Sequence, residues 1–147
     1  MQIRITPTRL ISEVQEEFNA LFPFLKLEFF RSKGYQPELA TNQIIPHNRR
    51  IGDYQAAVTD GMIEINGNMK VRELEKIFKD KFRLNVQVFR RSGNLWLQTT
   101  ITDEWTLQNQ NEHGWKYHYR IKLLSLMKII MMPQRIISKA GFSIFPY

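Results

Sequence analysis

One segment of this chain occurs twice. Residues 2–32 and 62–92 align with about sixty residues between the copies. Ile3 and Ile5 match Ile63 and Ile65. Ile11, Glu13, Val14, Phe18 and Phe22 match Val71, Glu73, Leu74, Phe78 and Phe82. One residue is then dropped, and Leu27, Phe30 and Arg31 fall on Val86, Phe89 and Arg90. A repeat of about thirty residues is one supersecondary unit, and two units that share an apolar pattern bury it together.

Each copy reads the same way. Residues 2–6 alternate and form a strand with Ile3 and Ile5 inward. Thr6-Pro7 offers a helix start, because Pro tolerates the first helical position. Ile11, Val14, Phe18 and Phe22 recur at helical spacing, and Pro23 ends the run. Leu25, Leu27 and Phe29 then alternate as a second strand. The second copy has a strand at 62–66, Asn68 as N-cap, a stripe of Val71, Leu74, Phe78 and Phe82, and a strand through Leu84, Val86 and Val88. Ser92-Gly93 marks a short hairpin, with a return strand at 94–100 that points Leu95 and Leu97 inward and Trp96 outward. Thr102-Asp103-Glu104 caps a final helix to about Glu112. The expected fold is therefore α+β. It is a ferredoxin-like tandem β-α-β repeat with an antiparallel sheet, an extra edge strand and a C-terminal helix. The connector at 33–61 is long, and residues 50–58 offer a further short element.

Charge divides the chain. Residues 1–112 hold 15 Lys plus Arg and all 14 acids, whereas residues 113–147 hold six basic residues and no acid. The expected division is a ferredoxin-like domain at 1–112 and a basic, apolar tail at 113–147. The tail reads as helical. Its sudden loss of acids is also what out-of-frame reading of AT-rich coding sequence would produce. A basic apolar helix can lie on an anionic membrane, fill a partner's groove or pack on the sheet. There is no cysteine, which excludes disulfides and thiolate metal sites and suits a reducing cytoplasm. The start shows no secretory pattern, and no run approaches the ~20 apolar residues of a membrane span.

No catalytic, cofactor-binding or metal residue is nominated. His47, His113 and His118 lack metal-ligand spacing. No phosphate-binding glycine motif occurs. Asp103 and Glu104 are adjacent and point apart on a helix, so they read as capping acids.

The candidate interaction face is the outward side of the sheet. Phe30, Phe89 and Trp96 point away from the helices there, beside Arg90 and Arg91 at the hairpin. Cover by the chain itself, a homo-oligomer or protein partner, and base stacking are the competing readings. The block at 89–107, FRRSGNLWLQTTITDEWTL, resembles one shared by small bacterial proteins of no known activity. The resemblance implies no functional residues. The leading expectation is a non-enzymatic protein-interaction or regulatory module that self-associates. The alternatives are a nucleic-acid binder using the tail with Arg90 and Arg91, and a small-molecule sensor.

Overall fold

The computed structural model describes residues 1–31, 43–54 and 58–131. Among these the chain is α+β, with three helices and two small antiparallel sheets. The first copy gives β1 (Gln2–Ile5), α1 (Ile11–Leu21) and β2 (Leu25–Phe30). The second gives β2's counterpart after β3 (Gly61–Glu64) and α2 (Val71–Phe82), namely β4 (Asn85–Ser92). The return strand β5 (Leu95–Gln98) and the long helix α3 (Leu107–Ile130) follow.

Each pairing between the two copies joins like with like. β1 pairs with β3, and Ile3 faces its own equivalent, Ile63. β2 pairs with β4, and Glu28 faces its equivalent, Gln87. A local two-fold therefore relates the copies through both pairs. The single four-stranded sheet of the ferredoxin-like expectation is not what forms. The strands divide into β1-β3 and β2-β4-β5. The other edges of β2 and β4 are partly taken by other segments. β5 lies along residues 89–92 of β4. On β2, Phe30 bridges Ile44, and Ile45 donates its N–H to the Phe29 carbonyl at 2.7 Å. Part of each outer edge is thus occupied, and β1 and β3 pair with each other instead.

The repeat also extends past β-α-β. After each return segment the chain turns back and closes the start of its own helix. Arg49 O and His47 O accept from Ile11 N and Ser12 N, both at 2.9 Å. Trp105 O and Asp103 O accept from Val71 N and Arg72 N at 3.1 and 3.0 Å. Ile51, in a 3-10 turn at Ile51–Asp53, and Leu107 plug equivalent buried positions. These carbonyls satisfy the N–H groups that a helix leaves open at its start. The helices therefore begin later than the sequence suggests, at Leu10 and Lys70 as N-caps rather than at Thr6-Pro7 and Asn68. Glu13 and Glu73 complete each start by accepting the N-cap N–H at 3.0 Å.

The shared stripe makes the core. Phe18, Phe78 and Phe82 are fully buried with Ile3, Ile5, Ile63 and Ile65. Phe78 meets Phe29 edge-on at 6.0 Å, one of the favoured ring geometries. α3 is capped by the Thr106 hydroxyl, which accepts from Asn109 N at 3.1 Å, not by residues 102–104. It runs unbroken across residues 112 and 113. Leu107, Gln110, Gly114 and His118 are its buried residues.

Candidate interaction surface

The hairpin β4-β5 and the helix α3 together carry most of the exposed large apolar side chains among the described residues. A buried polar chain fixes how they meet. Gln110, fully buried, donates to the Thr102 carbonyl at 2.8 Å and to its hydroxyl at 2.7 Å, and accepts from the Arg90 guanidinium at 2.7 Å. Thr99 donates its hydroxyl to the Val88 carbonyl at 2.8 Å. On the other side Asn111 accepts from Phe24 N at 2.9 Å. Gly114 is the point of closest approach. A Cβ there would stand 2.8 Å from Phe24 Cβ and 3.3 Å from the Arg91 carbonyl. Gln110, Asn111 and Gly114 were not singled out from the sequence. Their only signal there is their spacing, which puts 107, 110 and 114 on one helical face.

Arg90 is thus turned inward, its guanidinium also 5.9 Å from the Trp105 ring centre. Burial holds its pKa below the usual arginine value. Arg91 donates to the Gly93 carbonyl at 3.2 Å. The two arginines, neighbours in sequence, therefore lie on opposite faces of β4 and do not form one cationic patch.

Phe30, Phe89 and Trp96 do share the outer face of β2-β4-β5 with Lys26, Glu28 and Gln98. Phe30 is only 3% exposed within the chain itself. Phe89 and Trp96 are half-buried, and the Lys26 ammonium lies 5.6 and 5.0 Å from their ring centres. The same ammonium is 2.9 Å from Glu28. A cation over two rings is worth about 0.5–1 kcal/mol at such a site. On the opposite face Leu95 and Leu97, expected inside, are 67% and 43% exposed. The strand alternation is as expected, but these two side chains are left largely uncovered.

Beyond His118 the helix leaves the body. Ile121 still touches Gly93, 3.1 Å from where its Cβ would be. Leu123, Leu124, Leu126, Met127, Ile129, Ile130 and Met131 are all exposed, Ile130 at 79%. At 3.6 residues per turn they fall on two flanks. Trp115, Tyr119, Leu123, Leu126 and Ile130 make one stripe. Tyr117, Ile121, Leu124 and Met131 make another, with Lys128 among them. Lys116, Arg120, Lys122 and Lys128 are the charged residues of 113–131, with no acid among them. No helix of the described residues is long and apolar enough to cross a membrane.

The histidines offer no catalytic arrangement among the described residues. His113 stacks on Tyr117 at 5.0 Å and meets Trp105 at 5.4 Å. Burial, then Arg90 and Lys116, hold its pKa below the ordinary range. His118 packs on Phe24 at 5.7 Å. Neither Nδ1 has a hydrogen-bond partner among the described residues, so no carboxylate there orients either ring through that nitrogen. No group of three metal-ligating side chains occurs among the described residues.

Comparison with protein-family models, curated proteins and solved structures finds no match to this chain.

Proposed function

We propose that this chain is a non-enzymatic interaction module that assembles with further copies of itself through α3. The tandem repeat, ferredoxin-like in its β-α-β order though not in its strand pairing, serves as the rigid base. The observation that carries the reading is the run of exposed apolar residues on both flanks of α3 beyond His118. A helix with exposed apolar stripes on two flanks buries them only when neighbours pack on more than one side. A flat lipid surface covers one side and requires a polar side opposite. Here Leu124 and Met131 lie across the helix from Leu126 and Ile130. Each stripe recurs every three or four residues, the spacing at which helices pack on one another. One neighbouring helix covers one stripe and leaves the other bare, so the assembly expected is larger than a dimer.

The charges supply the test. Four cations and no acid on the part of each α3 after Glu112 make copies repel, and salt screens that repulsion. Sedimentation velocity of the full chain should show concentration-dependent assembly that strengthens as salt is raised. Leu123→Lys with Leu126→Lys should yield a monomer with unchanged unfolding. A chain that stays monomeric at high salt overturns the reading. So does cosedimentation with acidic-lipid vesicles or binding to single-stranded DNA that accounts for the exposed helix and weakens with salt.

A further inference from the structure

The two copies share a scaffold but not a surface. On α2, Arg72, Glu75, Lys76 and Lys79 lie at i, i+3, i+4 and i+7 and so share one face. With Phe30 and residues 85–87 of β4 they line an open cleft of about 350 Å³, within the range of small-ligand sites. The repeat places Ser12, Gln15, Glu16 and Asn19 at the equivalent positions of α1. The fold therefore forms without cations on this face, and their presence on α2 alone needs another reason. Helix electrostatics accounts for Lys79, in the last turn, but not for Arg72, which sits in the first turn, where a cation is unfavourable.

The strand edge points the same way. β5 covers only residues 89–92 of β4. Val88 directs its backbone groups toward β5's side, since its carbonyl accepts from Thr99 N. By alternation Val86 directs its N–H and carbonyl to the same side, where β5 has ended. In the first copy Gln15 Nε2 donates to the matching carbonyl, that of Leu27, at 2.6 Å. In the second copy Glu75 has no such donor and instead accepts from Val88 N at 3.0 Å. Among the described residues the cleft thus has an unpaired strand edge as one wall and cations on the other, with the edge of the largely buried Phe30 also in its lining. Arg72 pairs with Glu104, and Lys76 is 3.9 Å from Asp80. Lys79 has no carboxylate partner among the described residues.

We infer that this cleft binds a small organic carboxylate, its anionic end between Lys76, Lys79 and the Val86 N–H and its apolar body against Phe30. Glu75 makes the binding proton-linked. Burial first, and then Asp103, push its pKa up to about 7 against the pull of the Val88 N–H. The charged groups around it are Arg72, Lys76 and Lys79 on its own helix and Asp103 on the loop before α3. β4 presents the Asn85 and Gln87 amides. Glu28 on β2, across from Gln87, is held by Lys26. Glu104, paired with Arg72, and Asp80, 3.9 Å from Lys76, are the other acids nearby, and a protonated Glu75 removes the negative charge in the cleft lining itself.

The experiment uses the full chain with benzoate as probe, read by amide chemical shifts and titration calorimetry. Benzoate should shift the amides of Val86, Gln87 and Val88 and of residues 76–79. Affinity should rise up to about tenfold from pH 8 to pH 6 as Glu75 takes up its proton. Glu75→Gln should flatten that dependence. Lys76→Ala with Lys79→Ala should weaken binding at least roughly tenfold with the melting temperature unchanged. The inference is overturned if benzoate shifts none of these amides, if the lysine variant binds as well, or if inorganic phosphate binds equally well, which would leave the apolar wall without a role.

Discussion

At the scale of single residues, Glu75 shows how one substitution within a repeat changes the chemistry of a position. Its equivalent, Gln15, is neutral and donates to a strand carbonyl. Glu75 is largely buried and its pKa is raised from 4.5 to about 7. A raised carboxyl pKa means that the folded chain keeps a proton which the unfolded chain has lost. The stability linked to this group is full below about pH 4.5 and is lost as pH rises through about 7. Glu75→Gln should therefore leave stability near pH 5 little changed. At pH 8 it should stabilise the fold by roughly 2 kcal/mol, allowing for partial exposure. Urea unfolding of both chains at the two pH values measures this. An identical pH dependence in the variant would show that burial costs Glu75 nothing.

At the scale of elements, the junction of α3 with β4 is the least tolerant contact outside the core. Gly114 lets the helix approach Phe24 and the Arg91 backbone. In an isolated helix, Gly→Ala gains about 1 kcal/mol. Here the added methyl has no room, and overpacking costs typically about 1–3 kcal/mol. Gly114→Ala should therefore destabilise the chain despite its better helix propensity. Thermal unfolding decides the sign, and a raised midpoint would mean that α3 does not seat where Gly114 and Phe24 meet. The expected boundary at 112/113 falls inside this helix, on the turn that makes the contact. Charge composition located a change of surface character at that point. It carried no information on where the backbone breaks.

At the scale of the whole molecule, α3 has two parts with different duties. Leu107 and Gln110 belong to the buried interior, and His118 closes against Phe24. The part after Ile121 touches little of the described body. A chain ended after Ile121 should unfold cooperatively with nearly full stability and should not self-associate. A chain ended after Thr106 should not fold, because it loses Leu107, the counterpart of the buried Ile51. Circular dichroism with sedimentation on the two truncations checks both outcomes. Assembly by the first truncation would move the interface to the outer face of Phe89 and Trp96.

The sequence by itself determined the repeat, the existence of five strands and three helices, and the buried stripes. Those follow from local periodicity, which Ile3, Phe18, Phe78 and Val88 display without reference to any distant residue. It also placed Phe89 and Trp96 on the face opposite Val88, since side chains alternate along a strand. Only the tertiary structure decided which strands pair, because pairing depends on which edges are already occupied. The return segments that occupy them share almost no sequence. Residues 46–54 and 102–110 agree in little but an apolar residue, Ile51 or Leu107. Their shared task of closing a helix start is done by backbone carbonyls, which any residue supplies. The cleft beside Glu75 was hidden for a related reason. Its wall is the unpaired edge of β4, and an edge is open only once β5 has been seen to stop short of it.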